Sequence, residues 1–543
     1  MIPHLMGIPI TLEMMPPLMF GGLILAMLIG FPVAFTLAAV GISFGFLAIH
    51  LGFFDLNFLQ AIPGRVFGSV LSNELLLAIP FFTFMGAILE RCGLAEDMLD
   101  SMGQLFGPIR GGLGYSVIIV GFILGAITGT VAAQVIAMAL ISMPVMIRYG
   151  YNMRYITGVL AASGTITQLV PPSLVLIVLA DQLGKSVGDM YLGAWGPSLF
   201  QIALFAGYTF LLGLFKPDHV PPVPKTALTL TGWPLWRKCL LGIIPSAVLI
   251  FVVLGTMMLG LATPTEAGAM GAVGAIVLAA MHHKEFSSAG HKILIAGVIA
   301  CGIGTMIGIF LTEGILFKVA FAITYFAVVW VCLEAVRIPD LRGLIKQGYE
   351  TTMRITTMVV FILIGSTCFS VVFLGVSGGV WLEHLLTSLP GGVWGFLIFI
   401  NLFIFFLAFF LDFFEIAFII LPMIGPIAHK ILTPVVGADA ALIWFGVMLC
   451  VNMQTSFMHP PFGFALFYLR GVAPKEVKSS DIYWGALPWV GLQLIMVALV
   501  IAFPWTVTAL LDKPSNVDPN KVRIDIPQIE LAPLDFGEPP KFK

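Results

Sequence analysis

Apolar residues run along this chain in long blocks separated by short charged punctuation. No charged residue stands between Glu13 and Asp55, nor between Arg110 and Arg148. A helix needs about 20 apolar residues to cross the hydrocarbon of a bilayer, so each block holds one long or two short membrane helices. Blocks bounded by charges give spans near 18–50, 56–72, 112–147, 155–180, 190–215, 240–281, 293–333, 355–378, 391–429, 440–469 and 483–511. Several are long enough to be double, so the pattern predicts an all-α polytopic membrane protein with about twelve to fourteen crossings. A transmembrane β-barrel would instead show alternating segments of roughly ten residues, and none are seen.

Two segments interrupt themselves at matching places. In SGTITQLVPPSLVLIVLAD (163–181), Pro171 and Pro172 follow Ser163, Thr165 and Thr167. In VNMQTSFMHPPFGFALFYLRGVAP (451–474), Pro460 and Pro461 follow Thr455 and Ser456. Each comes after a long apolar helix and a short loop: GAITGTVAAQVIAMALISMPVM in the first half, FFLDFFEIAFIILPMIGPI in the second. A third pairing precedes these, SNELLLAIPFFTFMGAILERCG (72–93) with MRITTMVVFILIGSTCFSVVFLGVSGG (353–379), each carrying Pro or Gly inside an apolar segment. Paired broken helices in corresponding positions of two halves point to the binding site of a secondary transporter.

The physics of the break favours an ion. A proline inside a helix loses its own N–H and blocks the carbonyl four residues earlier, and two in a row push the preceding residue out of helical geometry. Freed carbonyls in hydrocarbon cost several kcal/mol each unless satisfied. Carbonyls of an unwound turn plus threonine hydroxyls make an oxygen cage for Na⁺, and the half-helix that restarts turns its positive end toward an anionic substrate group. The competing reading is a plain kink packed among neighbours.

Asp412 and Glu415 are the only charges between Glu383 and Lys430. Three apart, they share a helix face, and a charge at mid-bilayer costs at least roughly 2.5–3.5 kcal/mol, so such residues usually face a cavity or a partner. Asp412 reads as an ion-coupling residue; Glu415 reads equally as a ligand or as part of a helix end. Glu266 in GLATPTEAGA reads as a structural cap, and Glu74 in SNELLLAIP as a hairpin-start residue. His459 either donates to a substrate carboxylate or satisfies freed carbonyls. LGKS at 183–186 lacks the upstream glycine of a phosphate-binding loop, having Leu179 there, and His282-His283 has no metalloprotease pattern around it.

Composition fits the same class. The chain of 543 residues is 59% hydrophobic and 10% charged, against about a quarter charged in soluble domains, and its mean hydropathy is +1.05. The 26 Lys+Arg and 28 Asp+Glu nearly cancel, which gives no reason to expect nucleic acid. The N-terminus lacks the basic region of a cleavable signal, so the first apolar segment is expected to be retained. Six cysteines scattered singly indicate neither a zinc site nor a disulfide framework. The proline-rich stretch 218–239 reads as a linker between a first repeat (1–217) and a second (240–511), and 512–543 as a polar, proline-rich tail. Lys and Arg cluster in loops 148–154, 337–354 and 470–478, which are cytoplasmic candidates.

Taken together, LLAIPFFTFMGAILE, GAITGTVAA, ASGTITQLVPPS, LATPTEAGA, LDFFEIAFIILP and HPPFGFALF resemble, in family order, the large membrane subunit (DctM type) of tripartite ATP-independent periplasmic, or TRAP, transporters. The resemblance covers nearly the whole chain. It implies two inverted repeats with elevator-type scaffold and transport domains, and Na⁺-driven symport of a small organic acid through the prokaryotic inner membrane. The implied partners are a small four-helix membrane subunit (DctQ type) and a periplasmic substrate-binding protein (DctP type).

Carried over by residue, the resemblance puts a first Na⁺ site at Thr128 and Thr130 with the turn of Ser163, Gly164, Thr167, Val170 and Pro171. A second would use Gly365, Ser366 and Asp412 with the turn of Thr455, Ser456, His459 and Pro460. Re-entrant hairpins near 73–92 and 355–379 would close the site from opposite sides, and the broken helices would be 155–180 and 440–469. Two departures stand out: His459 where many members have threonine, and Gln168 where a small residue is common. The chain is also longer than usual, the surplus lying near 291–336 as two additional helices and in the tail. Rival readings are a Na⁺- or H⁺-coupled carboxylate carrier that needs no binding protein, an ATP-driven permease with a separate ATPase, and an intramembrane enzyme. The last lacks any nucleophile–base or metal constellation at depth, so no catalysis is expected.

Overall fold

The computed structural model describes residues 4–5, 8–9, 11–283, 326, 329–330, 332–409, 411–460 and 463–511. Within them the regular structure is helical apart from a two-residue antiparallel pair, His4–Leu5 with Ile8–Pro9. Nine described helices are long and apolar enough to cross a membrane, or up to eleven if each sharply bent pair is one span. The two helices expected near 291–336 lie almost wholly outside the described residues, as do Pro461 and the tail 512–543.

Helices α1 (Met15–Leu28), α2 (Val33–His50) and the short α3 (Ala61–Arg65) lead to a hairpin of α4 (Ala78–Arg91) and α5 (Leu94–Phe106). Then come α6 (Gly112–Thr128), α7 (Val131–Arg148), α8 (Met153–Thr165), α9 (Leu174–Leu183) and α10 (Val187–Phe215). Helices α11 (Trp233–Met258) and α12 (Pro264–His282) follow, α11 starting inside the expected linker. A second set comprises α13 (Pro339–Gly375), α14 (Gly378–Thr387), α15 (Gly392–Leu407), α16 (Phe413–Val436), α17 (Ala438–Met453), α18 (Phe464–Val472) and α19 (Ser479–Ala502), before a last turn α20 (Trp505–Thr508).

The run α4 to α10 and the run α13 to α19 repeat one order: a hairpin, two helices meeting at a break, a helix broken at a diproline, and a long closing helix. The closing helices share a pattern, Asp189, Tyr191, Gly193, Ala194 and Gln201 in α10 having the spacing of Asp481, Tyr483, Gly485, Ala486 and Gln493 in α19. Packing between the sets is crosswise. Helix α9 lies on α16 and α18 on α7, while α8 crosses α19 and α17 crosses α10.

Local chemistry explains where the helices stop. Pro171 and Pro172 (joined by a cis bond) end the 3-10 turn Ile166–Gln168, and Ser173 restarts the helix by accepting the Val175 N–H at 3.1 Å. The second break has the same form, a 3-10 turn over Gln454–Phe457 before α18. Single prolines do not break their helices: α16 carries Pro422, Pro426 and Pro434 without interruption, as membrane helices packed among neighbours tolerate.

Two expectations are corrected. GAITGTVAAQVIAMALISMPVM is not one helix, because Gly129 (φ +62°) takes the left-handed conformation that ends α6 and Thr130 is extended before α7. The matching break in the second set falls between Leu407, where α15 ends, and Asp412, which caps α16. The hairpins also sit further along than 73–92 and 355–379. Both segments are unbroken up to tips at Cys92–Gly93 and Val376–Ser377, with α5 and α14 as the second arms. Pro80 falls in the first turn of α4, where its missing N–H has no helical partner to lose. Gly365 is tolerated within α13 because α2 crosses there, and an added Cβ would strike the Ala34 carbonyl.

Glu266 is the structural cap expected. Its carboxylate accepts the Thr263 N–H at 2.8 Å while its own N–H donates to Thr263 Oγ1 at 3.3 Å. Glu74 opens the 3-10 turn Glu74–Leu77 that leads into α4.

Candidate functional site

Every residue from Tyr155 to Ala180 is buried, so the first broken helix is enclosed by protein rather than lipid. Glycines let α6 approach it: a Cβ on Gly121 would lie 2.8 Å from Ser163 Cβ, and one on Gly125 3.2 Å from Thr167 Cα. Most of the freed polar groups find donors inside the protein. Ser173 Oγ and, at 3.2 Å, Cys450 Sγ donate to the Gln168 carbonyl, and Ser198 Oγ donates to that of Leu169 at 3.2 Å. Thr167 Oγ1 donates to the Gly164 carbonyl at 2.8 Å, and Gln134 Nε2 donates to the carbonyls of Gly121 (2.6 Å) and Ser163 (2.9 Å). Left over are Ser163 Oγ and both amide atoms of Gln168, buried without a partner among the described residues. Val170 is fully buried in this turn ahead of Pro171.

In the second turn Thr455 Oγ1 donates to the Asn452 carbonyl and Ser456 Oγ to that of Met453, each at 2.7 Å. Ser366 Oγ donates to the Phe418 carbonyl, which ties α13 to the start of α16. Asp412 and Glu415 form a capping box: Asp412 Oδ1 accepts the Glu415 N–H at 2.8 Å and Glu415 Oε2 accepts the Asp412 N–H at 3.0 Å. Among the described residues no ion pair reaches either carboxylate. His459, 1% exposed, stacks on Phe409 (centroids 4.1 Å, 18°) and meets Phe405 edge-on at 4.4 Å, with the Ala408 carbonyl beside it. It faces the end of α15.

A cavity of about 220 Å³ lies where both sets meet. The first set supplies Gly129, Thr130, Gln168 and the start of α9; the second supplies Asp412, Phe457 and the starts of α16 and α18. Four helix N-termini (α7, α9, α16 and α18) therefore border one space, and together they favour negative charge there. Of the residues expected at the site, Thr130 and Asp412 line it. Gly365 does not, since it packs on α2. Ser163, Gly164 and Thr167 sit in the first turn beside Gln168, and Thr455, Ser456 and Pro460 in the second beside Phe457. Thr128 ends α6, and its side chain is outside the described residues.

The sequence reading missed the uncharged amides. Gln493 Nε2 donates to Thr165 Oγ1 at 2.9 Å and reaches Gln454 Oε1 at 3.5 Å, so one side chain of α19 touches both broken helices. Asn452 Nδ2 donates to the Asn401 carbonyl at 2.8 Å, which links the second broken helix to α15. The available signal was an amide inside a charge-free run, repeated in both halves as Gln201 and Gln493.

Broken helices paired around a cavity inside an apolar helical bundle define a multi-pass membrane transporter. The profile of the DctM component of tripartite ATP-independent periplasmic transporters matches residues 20–506, and the chain belongs to that family, whose members are large permease subunits of the inner membrane. It is 26% identical over 484 residues to the C4-dicarboxylate TRAP transporter large permease protein DctM of Vibrio cholerae, covering 89% of this chain and 94% of that one. It is 25% identical over 476 residues to the 2,3-diketo-L-gulonate TRAP transporter large permease protein YiaN of Escherichia coli, covering 88% and 93%. Among solved structures, the Alcanivorax borkumensis YdaH transporter matches with 15% identity and a TM-score of 0.45 over 82% of this chain and 88% of that one.

Proposed function

We propose that this permease subunit imports a small organic acid in symport with Na⁺, the acid being handed over by a periplasmic binding protein and the complex completed by a small membrane subunit. The observation that carries the reading is the cavity bordered by four helix N-termini with Asp412, a carboxylate that makes no ion pair among the described residues, at its edge. An acid is attracted by the helix ends, and Asp412 calls for a cation.

The donor set suits Na⁺. Hydroxyls, carbonyls and one carboxylate are hard oxygen ligands, and no cluster of three His, Cys, Asp or Glu occurs among the described residues. At the first turn the orphaned Ser163 Oγ, with Gly164, Thr167 and Val170, would hold one ion; at the second, Asp412 with Thr455 and Ser456 would hold another. Bound Na⁺ would supply the positive charge that lets a carboxylate enter beside Asp412. Movement of the two sets as one block against a scaffold would then expose the site alternately to each side.

Two experiments test this in proteoliposomes holding the chain with its small subunit and binding protein, using labelled succinate and phenylacetate as probes. An imposed Na⁺ gradient should drive uptake of at least one probe and a K⁺ gradient of neither; equal uptake with both gradients rejects the symport. Thr167→Ala, which loses one 2.8 Å hydrogen bond to the Gly164 carbonyl, should raise the Na⁺ half-saturation severalfold while leaving maximal uptake. An unchanged Na⁺ titration removes Thr167 from the site. Gln493→Leu should reduce the cooperativity of Na⁺ activation, because that amide joins Thr165 in one turn to Gln454 in the other. An unaltered Hill coefficient would show that the turns are not coupled through it.

A further inference from the structure

The two walls of the cavity differ in chemistry at equivalent positions. Counted from the diproline, Gln168 of the first set corresponds to Phe457 of the second, and Val175 to Phe464. Counted from the helix start, Val131 of α7 corresponds to Phe413 of α16. All six line the cavity. One wall is thus built of small side chains around a single amide, the other of aromatic rings.

The aromatic wall is continuous. Ring centroids step from Phe414 to Phe413 (3.8 Å), to Phe457 (6.4 Å), to Phe464 (6.2 Å) and to Tyr468 (6.5 Å). On the other wall Gln168 is 3% exposed, and among the described residues neither atom of its amide has a hydrogen-bond partner. A buried amide left unsatisfied is costly, so it calls for a ligand that brings polar atoms. It stands beside the N-terminus of α9, ten residues long, and that of α7, eighteen residues long.

We propose that the substrate is a monocarboxylate with a ring-sized apolar body, a proposal that rests on the transport reading above. Its carboxylate lies against Gln168 and the α9 N-terminus, and its ring lies against Phe413, Phe457 and Phe464. The cavity of about 220 Å³ exceeds the roughly 150 Å³ that holds one benzene ring, which leaves room for the acid group. A dicarboxylate fits poorly. Among the described residues no Lys, Arg or His lines the cavity, and the charge of one Na⁺ at Asp412 is balanced by Asp412 itself, so a second substrate carboxylate on the aromatic wall would have no charge left to pair with, which is the costly arrangement.

The test is equilibrium binding of radiolabelled phenylacetate and, separately, radiolabelled succinate to the purified full chain in sodium buffer. Phenylacetate should bind at least about tenfold more tightly than succinate, a difference of about 1.4 kcal/mol. Gln168→Leu and Phe457→Ala should each weaken phenylacetate about tenfold; the unliganded unfolding temperature should not fall in the first, which removes an unsatisfied amide, and unfolding should stay cooperative in the second. If Phe457→Ala does not fold, Phe464→Ala, at a half-exposed ring, takes its place. Phe457→Gln, which gives the second wall the residue of the first, should move the preference toward succinate. Succinate binding as tightly as phenylacetate to the unaltered chain overturns the proposal and leaves the transport reading intact. Failure of both acids to bind in sodium buffer likewise overturns the proposal, and the Na⁺-gradient uptake assay decides the transport reading separately.

Discussion

Asp412→Asn is expected to keep the protein folded and to raise the Na⁺ concentration for half-maximal uptake at least about tenfold, equivalent to about 1.4 kcal/mol. Asparagine caps a helix as well as aspartate does, so the bond from the Glu415 N–H, 2.8 Å in the native site, has an acceptor still. Only the charge goes. A cation about 4 Å from a carboxylate gains about 4 kcal/mol at an effective dielectric of 20, and dehydration of the ion removes part of that, which leaves tenfold as a floor. Asp412→Ala removes the cap as well and should cost a further 0.5–2 kcal/mol of stability, about 1 being typical. Comparing Na⁺ titrations and unfolding temperatures of the two variants separates charge from cap. An Asn variant with native Na⁺ dependence would show that Asp412 is a helix cap and nothing more.

The largest loss of stability is expected from Gly158→Val. Helix α8 crosses α19 with Gly158 against Gly485, and a Cβ at 158 would run into the Gly485 carbonyl oxygen and Trp489 Nε1. Neither can step aside. The first is backbone, and the Trp489 ring is held by Phe205 (5.0 Å) and Tyr208 (5.2 Å). Removing a glycine from a helix gains about 1 kcal/mol in propensity, whereas overpacking a filled interior typically costs 1–3 kcal/mol and occasionally more. The clash with rigid groups decides the sign, and forcing α19 away would also part Gln493 from Thr165. Gly207→Ala is the control, because nothing lies within 4 Å of a Cβ there. Thermal unfolding should show a marked drop for the first variant and none for the second; equal midpoints would mean that the crossing can loosen freely.

The diproline breaks were legible because proline removes a backbone donor, and two in succession past the first turn of a helix leave no helical solution. Glu266 was legible as a cap because a threonine–proline start needs an acid near the first turn. The break at Gly129 was not, since it depends on one residue adopting a left-handed conformation that the apolar pattern around it does not report, and the break between Leu407 and Asp412 was not, since it falls in an apolar run without a proline or glycine to mark it. Hairpin tips were displaced for a similar reason: Pro80 and Gly365 look like interruptions, yet one sits where a helix has no bond to lose and the other where a neighbouring helix needs the space. The facing of Gln168 with Phe457 could not be read either, because it arises from how the two sets fold together rather than from either alone.

Crosswise packing has a consequence for how the chain is made. Helix α9, ten residues and so about 15 Å long, is half the thickness of the hydrocarbon, and its main cover, α16, is synthesised more than two hundred residues later. During translation the first half would therefore wait beside the insertion machinery with one side of its kinked, hydroxyl-bearing turn uncovered, until the ribosome delivers the strip of chain that closes over it. Separately expressed halves would have to entwine before either could leave that shelter.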